Sequence, residues 1–246
     1  MMDSILQKIT AYPKTTGAIV GIGLPVAYLI YFHRSLASQV EHKIQRGTAG
    51  DLKQTLVEEQ SPSVALLAEA KDDCPAIYDR AWKSVPTRSL PPDLDHDTLL
   101  TMYLRRTMTL FSTRMPQAYI IRLMVGTPEL KKSFEPSVIQ SLAFQKGDVV
   151  NGGYRVASRI STNGLASVEF AMEMPVPTPV QGRLIIAVER TADLVTFSSE
   201  TVMWKPANFK DKMPLETPLI KWLHELASWW LIVKGSHDMI LMKRDN

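Results

Sequence analysis

Cysteine is almost absent from the chain, since Cys74 is the single cysteine among 246 residues. One cysteine excludes an internal disulfide bond and any zinc or iron–sulfur site that needs several cysteine ligands. The neighbouring carboxylates of Asp72 and Asp73 disfavour a thiolate, so we do not expect Cys74 to act as a nucleophile. The sequence also has no Asn-x-Ser/Thr glycosylation site. These absences favour a reducing environment for the folded part of the chain.

An excess of charge of one sign is also lacking. The chain has 28 lysines and arginines against 25 aspartates and glutamates, a formal net charge of +3. The basic residues are scattered and form no tract, so we predict no nucleic-acid partner. With 45% hydrophobic and 22% charged residues, the composition is that of a folded protein rather than a disordered one.

The usual signatures of cofactor sites and catalytic centres are missing. The sequence contains no GxSxG, no glycine-rich phosphate loop, no GxGxxG and no HExxH. We therefore predict that no cofactor is used. The histidines show no metal-ligand spacing, which predicts no metal site. They are His33, His42, His96, His224 and His237.

An uncharged apolar stretch covers residues 15–32, between Lys14 and the pair His33 and Arg34. At about 1.5 Å per residue it reaches about 27 Å, close to the thickness of a thin bilayer such as that of the endoplasmic reticulum. We predict an N-terminal transmembrane helix, with a cleaved signal peptide and a buried core helix as alternatives. A single-pass protein of the endoplasmic reticulum with a cytosolic globular domain is the expected location.

We predict two further regions after the anchor, which covers residues 1–34. Residues 35–60 form a juxtamembrane helix and linker, and residues 61–246 form an α+β domain with a pocket. The part over residues 61–96 contains five prolines and few periodic apolar positions, which predicts an ordered segment that wraps around the domain.

A long helix is predicted after this segment. Apolar residues recur three and four positions apart from Leu99 to Phe111, and Asp95 or Asp97 can cap the helix. The helix runs to about Arg114, because Pro116 does not continue it. Residues 118–125 are equally compatible with a helix and a strand.

From residue 142 the hydrophobic pattern changes to that of β-strands. Turn-rich stretches separate short strand-like runs, so consecutive runs should pair as an antiparallel meander. The predicted strands cover residues 142–144, 149–160, 165–174, 183–190 and 194–204.

A second helix closes the domain. Thr217 is its predicted N-cap, Pro218 its first residue and Gly235 its end. We expect it to cover the concave face of the sheet, with its apolar side made by Leu219, Trp222, Leu223, Leu226, Trp229, Trp230 and Val233. Of the adjacent tryptophans, Trp229 should face the sheet and Trp230 the edge of the pocket.

The predicted fold is therefore α+β: helices, a curved antiparallel sheet of four or five strands, and a closing C-terminal helix. The START-like helix-grip fold and the NTF2-like cone both match this outline, and both hold a pocket between sheet and helix. Within it we single out Glu200 and His224 as candidate catalytic residues, although an ordinary surface role is the alternative for each. The expected pocket lining is Tyr103, Phe170, Met172, Met203, Trp222 and Trp230.

Several stretches carry a family resemblance over roughly residues 75–235. They read YLRRTMTLFSTRMPQA, LAFQKGDVVNGGYRV, VEFAMEM, SSETVMWK and MPLETPLIKWLHELASWWL. The chain resembles uncharacterised fungal proteins of secondary-metabolite gene clusters, among them one like the norbornene-forming Diels–Alderase of sordarin-type diterpene pathways. This resemblance implies a cofactor-free cyclase or isomerase and transfers no catalytic residue.

We expect a cofactor-independent cyclase or isomerase, a Diels–Alderase-like pericyclase, that acts on a hydrophobic terpenoid or polyketide intermediate. Its partners would be that small molecule and, through the N-terminal helix, a membrane. A membrane-anchored carrier of a lipid or pathway intermediate is the first alternative. The second is an acid–base isomerase or dehydratase of the NTF2-like kind, which needs a His/Asp or Tyr/Asp pair in the pocket.

Overall fold

A computed structural model of the chain describes residues 24–58, 62–92, 94–173 and 178–243. Its internal contacts divide the chain into two compact units, one ending at Gln39 and the other beginning at Val40.

The described part of the first unit contains one helix, α1 (Leu24–Ala37). Tyr28, Ile30 and Tyr31 are exposed on it. Residues 15–23 of the predicted transmembrane segment lie outside the described part of the chain. Among the helices that the structure describes, none is both long and apolar enough to cross a membrane.

The second unit is an α+β structure, as predicted. Its strands are β1 (Glu41–Thr48), β2 (Pro75–Pro86), β3 (Val149–Val150), β4 (Tyr154–Thr162), β5 (Leu165–Met172), β6 (Gln181–Arg190) and β7 (Leu194–Trp204). Its α-helices are α2 (Ala49–Glu58), α3 (His96–Arg114), α4 (Pro116–Met124), α5 (Pro128–Lys132), α6 (Pro136–Ser141) and α7 (Pro218–Leu241). Short 3-10 helices lie at Pro62–Leu67, Thr87–Ser89 and Pro214–Glu216.

The sheet has seven strands in the order β1-β2-β7-β6-β5-β4-β3, and each neighbouring pair is antiparallel. The strands from β3 to β7 form the predicted meander. The predicted number of four or five strands was wrong, because β1 and β2 extend the sheet beyond β7. Both come from the part of the chain in which no strand was expected.

Both faces of the sheet are covered, and strand parity decides which side chain meets which layer. On one face α2 and the first 3-10 helix pack over a core that includes Tyr78, Val202 and Trp204. On the other face α3 packs over β5 and β6, and α7 packs over β2 and β7. The core on that side includes Phe170 and Phe197.

The structure confirms the predicted start and end of helix α3. The carboxylate of Asp95 accepts hydrogen bonds from the backbone N–H groups of Asp97 and Thr98, each 2.8 Å long. The helix ends at Arg114, and Pro116 begins α4 rather than extending α3. Residues 118–125, for which helix and strand were both open, are almost entirely within helix α4.

Helix α7 begins where predicted but does not end there. Thr217 occupies the N-cap position and Pro218 is the first residue. The predicted end at Gly235 was wrong, because the helix continues to Leu241. Gly235 instead lies where α7 meets α3, since a Cβ carbon there would be 2.6 Å from Thr107 Cγ2. The glycine serves close helix packing rather than termination.

The region 35–60, predicted as a juxtamembrane helix and linker, contains strand β1 and helix α2. β1 lies at the edge of the sheet and has no buried residue, so it lacks the alternation that marks a half-buried strand. Its residues form a strand because they pair with β2, although their side chains show no strand pattern. Thr48 and Asp51 then exchange hydrogen bonds at the start of α2, with Asp51 Oδ2 3.0 Å from the Thr48 nitrogen.

The wrapping segment predicted over residues 61–96 contains strand β2 instead. Pro75 and Pro86 are its first and last residues, positions at which a proline does not interrupt the hydrogen bonds between strands.

The strand predicted over residues 142–144 is absent, since Phe144 has a φ of 52°, which a strand does not allow.

Candidate functional site

A cavity of about 450 Å³ lies between the sheet and helices α3, α4 and α7. Strands β4 to β7 supply its floor, and the three helices supply its walls. Helix α3 packs over β5 and β6, α7 packs over β2 and β7, and the two helices contact each other, with the cavity beside that contact. A neighbouring pocket of about 260 Å³ shares Met172, Met203 and Pro214 with it.

The wall of the cavity is mainly apolar. Odd-numbered residues of β7 and even-numbered residues of β6 face it, so Met203 and Leu184 contribute from the floor. Phe111 of α3 and Leu231 of α7 contribute from the walls. A pocket of this size and lining suits a hydrophobic small molecule with few polar groups.

Two tyrosines and a histidine bring polar atoms to this wall. Burial raises the pKa of Tyr154 to about 12 and raises the pKa of Tyr103 still further, so both phenols stay protonated at neutral pH. A protonated phenol can donate a hydrogen bond to a carbonyl of a bound molecule. His224 lies on the first half of α7, and its side chain is 25% exposed.

His224 has a buried carboxylate behind it. Its Nε2 lies 3.8 Å from Oδ1 of Asp79, a residue of β2 that is 2% exposed. Within the described residues, Oδ2 of Asp79 is buried without a hydrogen-bond partner. The distance is too long for a direct hydrogen bond, but it suits charge attraction or a bridging water. A carboxylate so placed can fix the orientation of the imidazole ring.

Glu200, the other predicted catalytic residue, lies on the opposite face of the sheet. Its Oε2 accepts a hydrogen bond of 2.8 Å from the Tyr78 hydroxyl, and its Oε1 lies 3.4 Å from Nε of Arg80. Thr201, the next residue of β7, faces the cavity instead. The side chains of a strand alternate between its faces, so Glu200 does not reach the cavity.

The predicted pocket lining divides in two. Tyr103, Met172 and Met203 lie on the cavity wall, as does His224. Phe170 is fully buried in the core, with its ring centroid 6.4 Å from that of Tyr154.

Trp222 and Trp230 are half-buried on α7 and lie outside the cavity wall. Their expected place was wrong because α7 packs against α3 as well as the sheet, so the side of the helix that faces the cavity carries Leu223, Ala227 and Leu231.

Sequence reasoning missed Asp79 and Gln117. Asp79 lies between Tyr78 and Arg80 in a stretch whose pattern does not predict a strand, so the sequence does not reveal its position on the α7 side of the sheet. The available signal was an acidic residue that directly follows the apolar run 76–78. Gln117 lines the cavity from α4, and its Nε2 donates a hydrogen bond of 3.1 Å to the carbonyl of Leu223.

The described residues contain no group of three or more His, Cys, Asp or Glu side chains placed to hold a metal ion. The titratable residues on or directly behind the cavity wall are His224 with Asp79, the two phenols, and Glu173, which pairs with Arg155. Comparison of the chain with protein-family models, with curated proteins and with solved structures gave no match.

Proposed function

We propose that this protein is a cofactor-independent cyclase or isomerase that acts on a hydrophobic intermediate of natural-product biosynthesis. The observation that supports it most is the position of His224, with Asp79 behind it, on the wall of a mainly apolar cavity. The apolar wall would hold a flexible chain in a reactive conformation, which removes conformational entropy from the barrier. His224 or a phenol would then polarise one carbonyl of the substrate.

The same pair supports an acid–base isomerase or dehydratase as a second candidate. A histidine oriented by a buried carboxylate can serve as a general acid or base. The dehydratase differs from the cyclase and from an isomerase in the mass of its product. A pericyclic reaction or an isomerisation conserves the mass of the substrate, whereas a dehydration loses water. Proton transfer would give a bell-shaped dependence of the rate on pH.

For the finer fold we propose the helix-grip arrangement. Its support is that α7 is the α-helix that comes after β7 in the chain and that it packs across β2 and β7, with the cavity beside it. For the location we propose attachment to a membrane, in the endoplasmic reticulum, through the N-terminal unit. The apolar sequence of residues 15–32 and the exposed Tyr28, Ile30 and Tyr31 of α1 support it.

The test is deletion of the gene in its host, followed by complementation and metabolite profiling by mass spectrometry. Deletion should remove one lipophilic metabolite and cause its precursor to accumulate. Complementation with His224→Gln should restore little of the product. His237→Gln is the matched control, because His237 is exposed on the same helix and lies outside the cavity wall.

The outcomes separate the candidates. A precursor of the same mass as the product supports the cyclase or isomerase, and a precursor heavier by one water supports the dehydratase. Full restoration by His224→Gln would favour a carrier, because binding in an apolar cavity does not need an imidazole. A metabolite profile that deletion leaves unchanged would overturn the proposal.

A further inference from the structure

The cavity opens to solvent between α4 and the first turns of α7. Ile120 and Met124 of α4 line the cavity and are also 58% and 47% exposed. Ile220 of α7 lines it from the other side and is 44% exposed. The hydrogen bond from Gln117 to the Leu223 carbonyl holds the two helices side by side at this opening.

More exposed apolar residues surround this opening. Leu123 is 84% exposed, Tyr119 53% and Leu219 65%, all on the same two helices. A soluble surface seldom groups so many large apolar side chains, and such groups mark interaction sites. We call this surface the mouth rim; it consists of Tyr119, Ile120, Leu123, Met124, Leu219 and Ile220.

The charges beside the mouth rim are mostly positive. Residues 114–128 contain Arg114 and Arg122 and no acidic residue. The loop before α7 contributes Lys210 and Lys212, both exposed, against Asp211. Lys212 lines the smaller pocket, which shares Pro214 with the cavity, so this loop lies beside the cavity just before the start of α7.

The nearby carboxylates at the cavity wall and at the start of α7 are held by other cations. Glu173 is 2.6 Å from Nε of Arg155, and Glu216 is 3.0 Å from Nζ of Lys205. Within the described residues, four cations form no ion pair with a carboxylate: Arg114, Arg122, Lys210 and Lys212. An apolar surface edged by cations matches the chemistry of an anionic lipid bilayer.

We propose that the mouth rim docks on the surface of an anionic bilayer, so that the cavity opens directly toward the lipid. The apolar side chains would enter the headgroup region, and the four cations would pair with lipid phosphates and carboxylates. A second copy of the chain fits this surface less well, because two positively charged rims would repel each other. Membrane docking is separate from the proposed reaction and can be measured without substrate turnover.

The test places a fluorophore on the mouth rim of the full chain. Leu123→Cys carries an environment-sensitive dye, and Leu194→Cys, an exposed leucine at the start of β7, is the matched control. Unsubstituted protein treated with the dye gives the blank, because Cys74 is buried. The N-terminal unit is present in every sample, so any membrane attachment that it provides is the same throughout.

Each labelled protein is mixed with vesicles of phosphatidylcholine alone, or with phosphatidylserine added, and with brominated lipid as quencher. The Leu123 label should shift to shorter wavelength and be quenched, more strongly with phosphatidylserine, while the Leu194 label should change little. Combined Arg122→Glu and Lys212→Glu substitutions should remove most of this quenching. Lys146→Glu, at an exposed turn, should leave it unchanged.

Equal behaviour of the two labels would overturn the proposal. So would a shift of the Leu123 label that depends on protein concentration and not on vesicles, since that result indicates a second copy on the mouth rim. Neither measurement involves substrate conversion, so its outcome is independent of the proposed function.

Discussion

Gly235 of α7 lies directly against Tyr103 of α3. A Cβ carbon at Gly235 would be 2.6 Å from Cε2 of Tyr103, closer than two non-bonded carbon atoms approach each other. Tyr103 is buried and also lines the cavity. The contact between the two helices therefore fixes one wall of the candidate site.

Gly235→Ala should destabilise the protein. Alanine favours a helix over glycine by about 1 kcal/mol, but overpacking typically costs about 1–3 kcal/mol. The clash should win, because both Tyr103 and Thr107 block the new methyl group. Urea unfolding of the variant measures the change. Gly126→Ala is the control, since a Cβ carbon there meets nothing within 4 Å. A Gly235→Ala variant as stable as the original would contradict this packing.

Tyr78→Phe should also destabilise the fold, by about 1–3 kcal/mol. The Tyr78 hydroxyl donates to the buried carboxylate of Glu200 on the face away from the cavity, and phenylalanine removes this donor. Tyr119→Phe is the comparison, because its hydroxyl donates to the Thr113 carbonyl at the exposed surface and should cost little. Thermal melts of both variants measure the loss of stability. Equal losses of stability would show that the buried hydrogen bond contributes no more than the exposed one.

The adjacent tryptophans of α7 should respond differently to truncation. Trp229 is 2% exposed, and its ring centroid is 4.9 Å from that of His42 on β1, so Trp229→Ala should cost about 3–5 kcal/mol. Trp230→Ala should cost less, because Trp230 is half-buried. It should also leave ligand binding unchanged, because Trp230 lies outside the cavity wall. Melting curves and ligand titrations measure both effects, and similar destabilisation would contradict the assignment.

Asp238 should make stability depend on acid pH. Burial raises the pKa of this carboxyl, but hydrogen bonds from Lys234 and Arg106 lower it more, so the net shift is downward. A carboxyl with a lowered pKa in the folded state contributes stability at pH values above its unfolded pKa of about 3.9. That contribution is lost as the pH falls through the folded pKa.

Asp238→Asn should therefore lower the free energy of unfolding at about pH 7 by about 1–2 kcal/mol, since Arg106 is partly exposed and the pair is screened. The difference from the original protein should shrink below about pH 3. Asp73→Asn is the control, because Asp73 is exposed. Urea titrations across this range test the prediction, and a difference that stays constant with pH would refute it.

Local signals explain which elements could be predicted. The Asp95 cap, the apolar period that follows it and Pro116 define α3 within its own residues. Alternation and turns define the strands from β4 to β7 in the same way. β1 and β2 carry weak local signals, because their order comes from pairing with residues far away in the chain.

The candidate site shows the same division. The sequence by itself determined that a helix with His224 closes an antiparallel sheet, because capping and hydrophobic period are properties of neighbouring residues. Tertiary structure alone decided that Asp79 lies behind His224 and that Glu200 faces away from the cavity. The faces of a sheet are fixed by strand register and by the helices that pack on it, and both depend on contacts between distant parts of the chain.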